Sequence, residues 1–313
     1  MGVKSTREAT MKAILELARE DEKIVIISPD AVAAARAVPF QQEFPDRVIE
    51  VGIAEQDAVD VAAGLATTGM KPIVVSYAGF LTMRACEMIR TFIAYPGLNV
   101  KLVGLNGGML GGEREGVTHQ FYEDVGILRS MPGVKIITPA DAGQAYQAAK
   151  AMMELDGPVY LRLGSGREPE VFPEDTPFEF GKIREVVSYG DDVAVFASGF
   201  IMNRAIEAVE QLKAEGVNAT LIDVSTVKPM DSKGVAAVLE RCNCAVAVED
   251  HNFYGGMSSA ICEVACHFHP CKVRRLGLRD VYPRSGVAAE LLDAYGLAVQ
   301  DIVDAAKDAM SNK

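Results

Sequence analysis

The chain has 313 residues, 49% hydrophobic and 24% charged, with a formal net charge of −12 and a sequence pI of about 4.9. That length accommodates two domains of ordinary soluble composition. The acidic balance disfavours nucleic acid, which calls for a basic stripe, and an anionic membrane surface. No run approaches the roughly 20 apolar residues of a membrane helix.

The N-terminal segment lacks the apolar core of a signal peptide, so the cytoplasm is the expected location. A capping box, Ser5-x-x-Glu8, opens an amphipathic helix with apolar positions Ala9, Ala13, Ile14, Leu17 and Ala18. Strand-like runs then alternate with helical ones. Residues 24–28, 48–51, 72–76, 100–105, 134–138 and 159–163 read as buried strands, with helices over 54–68, 80–94 and 140–155. Near-continuous apolar strands with helical crossovers predict a parallel sheet covered on both faces.

The pattern breaks at Gly164-Ser-Gly-Arg-Glu-Pro169, followed by Pro173 and Pro177, residues that stop helices and sheets. A second series follows, with strands over 193–197, 219–224, 245–249 and 273–276. Helices are expected over 203–215, 232–241, 288–295 and 299–310. The expectation is an α/β protein of two parallel-sheet domains, residues 1–170 and 186–313, joined by a linker over 171–185. In such sheets ligands gather beyond the carboxyl ends of the strands.

Three phrases fall just after strands. The first is Arg47-Val-Ile-Glu-Val-Gly-Ile-Ala-Glu55-Gln56, where a tight glycine turn aims Glu55 at the sheet mouth in apolar company. Burial of that kind disfavours the charged form of a carboxyl group and suits it to share a proton with a heterocyclic nitrogen. The second is Ser76-Tyr77-Ala78-Gly79-Phe80-Leu81, with Arg84 one turn on; an aromatic face suits a flat, electron-poor ring. The third is Gly111-Gly-Glu113-Arg114-Glu115-Gly116-Val117-Thr118-His119-Gln120, behind the glycine-rich turn that starts at Asn106. Glycines there let the backbone approach a ligand closely. The group Cys242, Cys244, Cys262, Cys266, His267, His269 and Cys271 fits no zinc spacing, and these cysteines read as reduced structural thiols.

In this order the three phrases resemble the pyrimidine-binding domain of transketolases and their thiamine-diphosphate relatives. Val248-Glu249-Asp250-His251-Asn252-x-x-Gly255-Gly256 resembles a structural turn of that family's C-terminal domain, so the likeness runs through essentially the whole chain. It implies that Glu55, with Ile53 beside it, protonates the cofactor's aminopyrimidine. It also implies that Phe80 stacks on that ring, with Tyr77 on the same wall. His119 would reach the sugar's hydroxyls and move protons during carbon–carbon cleavage.

Members of the family hold the cofactor's diphosphate through magnesium, using a Gly-Asp-Gly motif. The sequence has none; Tyr189-Gly-Asp-Asp lacks the second glycine. The resemblance therefore implies the C-terminal subunit of a split transketolase, with no metal ligands of its own. Thiamine diphosphate would be shared with a partner chain, the diphosphate-binding N-terminal subunit, which holds the magnesium, in an α2β2 heterotetramer. The implied reaction moves a two-carbon ketol unit from a ketose to an aldose. The β subunit of a 2-oxo acid dehydrogenase lacks the Thr-His-Gln loop. Deoxyxylulose phosphate synthase carries the diphosphate domain in the same chain. A degenerate binding module would not keep Glu55.

Departures from the family cluster on the substrate side. Asn106 stands where a histidine or arginine is usual, Glu115 takes the aspartate position in a loop one residue longer, and Ser165 replaces an arginine. A serine cannot grip an oxyanion as a guanidinium does. Arg84, Arg114, Arg162 or Arg167 would restore the anion site for a sugar phosphate or related anionic sugar, or the enzyme takes a ketose with a different end group, or the partner chain supplies the missing cations.

Overall fold

In the computed structural model of the chain, residues 3–109, 111, 115–173 and 175–311 are described. Two large sheets organise them, beside a small antiparallel pair of Val3–Lys4 with Glu168–Pro169. The first has seven strands, in the order Thr226–Lys228, Lys135–Ile137, Val159–Arg162, Lys101–Leu105, Lys71–Tyr77, Ile24–Ser28 and Val48–Glu50. The second has five, in the order Lys272–Leu278, Cys244–Asn252, Val193–Ser198, Ala219–Asp223 and Arg184–Ser188. All neighbours in these two are parallel except one edge strand in each, Thr226–Lys228 and Arg184–Ser188. The fully parallel expectation is corrected there. Neither shows in the apolar pattern: Arg184–Ser188 is only partly buried, and Thr226–Lys228 has three residues.

Strand Thr226–Lys228 also shows why a simple cut between the domains does not describe the molecule. It lies in the second half of the sequence yet completes the first sheet. One continuous core joins Val74, Leu102 and Tyr160 to Phe196, Ile222 and Val227. The expected linker is pinned rather than loose: Phe172 packs into the second core, and Phe178 and Phe180 against the first sheet's other face. The Asp141 carboxylate caps helix Ala142–Glu154 at the Gln144 N–H and accepts the amides of Val171 and Phe172.

Helix Thr6–Glu20 begins where the capping box predicts, with Ser5 Oγ accepting the Glu8 amide at 3.2 Å. It packs on Ala142–Glu154, whose Ala145, Ala148 and Ala149 are fully buried. Small residues at that seam let the two helices approach. The helix expected over 80–94 is broken instead, into π-helical turns at Phe80–Arg84 and Ile89–Ala94 around Cys86–Met88. Such π-bulges recur at functional sites. Helix Met257–Phe268 shows in the sequence only through the one-turn spacing of Cys262 and Cys266. Among the described residues, no helix is long and apolar enough to cross a membrane.

Candidate functional site

Strand Val48–Glu50 ends in a turn with Gly52 at φ 71°, and helix Glu55–Thr67 starts immediately after it. Glu55 is the first helical residue, and its side chain points inward, 3% exposed, while Ile53 stands 71% exposed at the rim. An acidic residue in a first turn is favoured by the helix dipole. The apolar company expected for Glu55 is only part of its setting. Arg84 Nη1 donates to both carboxylate oxygens, at 3.2 and 3.0 Å.

Strand Lys71–Tyr77 delivers the second phrase. Tyr77 closes the strand, and the Phe80 ring lies edge-on to it at 5.7 Å between centroids. His119 sits against both, 5.2 Å from Tyr77 and 5.1 Å from Phe80. Phe121 supports Phe80 at 5.2 Å. Gly79 is required for that support: a Cβ there would fall 1.9 Å from the Phe121 ring. The Arg84 guanidinium lies 3.9 Å from the Phe80 centroid. Residues from three separate phrases thus form one aromatic and acidic cluster at the carboxyl end of the sheet.

The loop carrying His119 is held from both sides. The His119 amide donates to Gly116 O at 2.9 Å, and its Nδ1 meets Thr118 Oγ1 at 3.0 Å. Arg162 Nη2 donates to Phe121 O and to Asp250 O, at 3.1 and 3.0 Å, and Nε donates to Asp124 at 2.8 Å. Burial works against charge on Arg162, yet Asp124 overrides it and raises the guanidinium above its ordinary value. Burial alone would push the Asp124 carboxyl up, but Arg162 and His251 bring it below the usual range. Arg162, a candidate for the substrate anion, is therefore committed inside the fold.

The other substrate-side candidates separate. Ser165 and Arg167 line a cavity of about 250 Å³ with Phe200, Asn203 and Arg204, which includes none of Glu55, Tyr77, Phe80 or His119. Glu115 is exposed. Arg114 lies outside the described residues. Asn106, at φ 59°, is engaged by Arg7, a residue that belongs to none of the three phrases. Arg7 donates to Asn106 Oδ1, twice to Gly164 O, and to Ala34 O. Burial lowers its guanidinium below the ordinary value, against the pull of Glu168, Tyr77 and Glu115. The sequence holds one signal for Arg7: a cation in the first turn of a helix opposes the dipole and needs another reason to be there.

Residues 3–167 match the family model described as transketolase, pyrimidine binding domain, and residues 181–302 that of the transketolase C-terminal domain. The chain belongs to the transketolase family. Within it, the chain corresponds to the C-terminal subunit of a split transketolase. It is 35% identical to the 6-deoxy-6-sulfo-D-fructose transketolase subunit SqwH of Clostridium sp. (strain MSTE9), over 98% of this chain and 95% of that one. An apulose-4-phosphate transketolase subunit of Phocaeicola vulgatus is 34% identical, over 95% and 94%. A solved structure titled split gene transketolase, inactive beta4 tetramer, superposes with a TM-score of 0.89 at 37% identity, covering 99% of both chains.

Proposed function

We propose that this chain supplies the pyrimidine half of a thiamine-diphosphate site and completes a transketolase only with a diphosphate-binding partner chain. The carrying observation is the meeting of Glu55, Phe80, Tyr77 and His119, three phrases distant in sequence, in one cluster. The cradle fits a flat nitrogen heterocycle, because a flat nitrogen cation, the Arg84 guanidinium, already lies on Phe80 and donates to Glu55. The bound cofactor supplies a nucleophilic carbon for carbon–carbon cleavage. Glu55 holds a proton at its carboxylate for the ring nitrogen, Phe80 orients the ring by stacking, and Tyr77 closes the wall. His119, beside Phe80, moves protons to and from the sugar's oxygens. Ile53, exposed beside Glu55, is placed to meet the cofactor or the partner.

Magnesium falls to the partner, since the sequence carries no Gly-Asp-Gly motif. The assembly we propose is an α2β2 heterotetramer, in line with a relative whose structure is titled an inactive beta4 tetramer. A cytoplasmic setting agrees with six cysteines that form no disulfide. The substrate is a ketose with an anionic end, as the names of both relatives suggest. Arg7 stands at Asn106 and Gly164, but its buried guanidinium is spent on Asn106, Gly164 and Ala34, so the cation for the anionic end falls to the partner chain.

The reading is tested by mixing the chain with a Gly-Asp-Gly partner chain, thiamine diphosphate and magnesium, and assaying ketol transfer across ketoses ending in phosphate, sulfonate or a hydroxyl. Turnover is expected only in the mixture, and only with the anionic ketoses. Ketol transfer by the chain alone, or preference for the uncharged ketose, overturns it.

A further inference from the structure

The slot formed by Glu55 and Phe80 has an internal occupant. The Arg84 guanidinium lies 3.9 Å from the Phe80 centroid, and its Nη1 donates to both oxygens of Glu55. A flat cation stacked on Phe80 with an N–H directed at Glu55 shares the shape, charge and donor pattern of a protonated aminopyrimidine. The Arg84 side chain is 48% exposed whereas that of Glu55 is 3% exposed, so the guanidinium stands at the mouth with an open path to solvent. Its backbone is fixed independently, with Gln56 Nε2 donating to Arg84 O at 3.1 Å. The side chain can therefore leave without unwinding the π-turn Phe80–Arg84.

The contact also answers an electrostatic need. A carboxylate buried without a partner is costly, and among the described residues Arg84 is the cation that pairs with Glu55. We propose that Arg84 is a displaceable stand-in for the cofactor's pyrimidine. It fills the half-site of the free chain, keeps the Glu55 charge compensated and swings out when the cofactor enters. The proposal rests on the reading of Glu55 and Phe80 given above. Its consequence is a lowered apparent affinity of the free chain, since only the Arg84-out fraction binds. An ion pair with one exposed partner and one cation–π contact together correspond to a penalty of about tenfold.

The test is calorimetric titration of the full-length free chain with the aminopyrimidine fragment 4-amino-5-hydroxymethyl-2-methylpyrimidine, which needs neither metal nor partner. Wild type, Arg84→Met, Arg84→Ala and the double variant Glu55→Gln with Arg84→Met are compared. Both single variants are expected to bind about tenfold more tightly than wild type, and the double variant to lose that gain. Equal or weaker binding by both single variants, including no binding at all, overturns the stand-in. The underlying reading is judged separately, by Glu55→Gln in the assembled enzyme: if that variant turns over normally, Glu55 is not the pyrimidine partner and the reading itself falls.

Discussion

Asp250, in strand Cys244–Asn252 of the second sheet, accepts the Met109 backbone N–H at 3.0 Å across the seam between the two sheets. The contact is close enough that Gly108, at φ 85°, could not carry a Cβ, which would fall 2.1 Å from Asp250 Oδ2. The Asp250 carbonyl also accepts from Arg162, which holds Phe121 O with the same nitrogen. A residue of the C-terminal half therefore sets the register of the loop that brings His119 to Phe80. Asp250→Ala is expected to lower kcat by roughly 10-fold to 100-fold, the order of loss that accompanies a misplacement of about 1 Å. Asp250→Asn keeps an acceptor for Met109 and should retain most of the rate. Steady-state kinetics of the reconstituted enzyme check both; equal losses would show that the charge, not the positioning, matters.

Arg162→Met should act on stability before substrate. It leaves the fully buried Asp124 with Tyr160 as its remaining side-chain donor, at 2.6 Å. Breaking a buried pair by removing one partner typically costs about 3–5 kcal/mol. Thermal unfolding would show a large downward shift. A variant of unchanged stability with a raised KM would instead return Arg162 to the substrate.

Arg7→Met is expected to act on stability as well, because the buried guanidinium ties Asn106, Gly164 and Ala34 together. Thermal unfolding should show a lower melting temperature. An unchanged melting temperature with a raised KM for anion-ended ketoses alone would return Arg7 to the substrate.

Asp223 lies at the same seam, with Gln144 Nε2 donating to Oδ2 at 2.5 Å and Oδ1 buried without a hydrogen-bond partner among the described residues. Burial raises its carboxyl to about 6. The folded value exceeds the unfolded one, so between about pH 4 and pH 6 the folded chain binds the proton more tightly. Stability consequently falls as pH rises through that window, by an amount of order 2 kcal/mol. Asp223→Asn, which retains an acceptor for Gln144, should flatten this dependence and raise the melting temperature at neutral pH. If the variant keeps the wild-type slope of melting temperature between about pH 4 and pH 6, Asp223 is not its source.

The alternation of apolar strands and helices is legible because both faces of each sheet are buried, which buries strands such as Ile24–Ser28 along their whole length and makes them apolar but for the last residue. The antiparallel strands Arg184–Ser188 and Thr226–Lys228 are not, the first being only partly buried and the second three residues long. Glu55, Phe80 and His119 are legible as phrases at strand ends, where glycine turns leave a clear mark. The contacts of Arg7 and Arg84 are not, because nothing in residue spacing tells which way a long cationic side chain turns. Spacing alone makes Arg84 a group for the substrate, whereas in the fold it meets Glu55; Arg7 is marked only as a cation in a first turn, and in the fold it meets Asn106.

The role of Glu55 is measured most directly by ketol transfer of Glu55→Gln, reconstituted with a diphosphate-binding partner, thiamine diphosphate and magnesium, with assembly followed by its mass in solution. Glutamine keeps the shape and an acceptor but exchanges no proton with the ring. The variant should assemble like wild type while turnover falls by at least ~10²–10⁴-fold. Near wild-type turnover in a correctly assembled complex would mean that Glu55 is not the ring's proton partner.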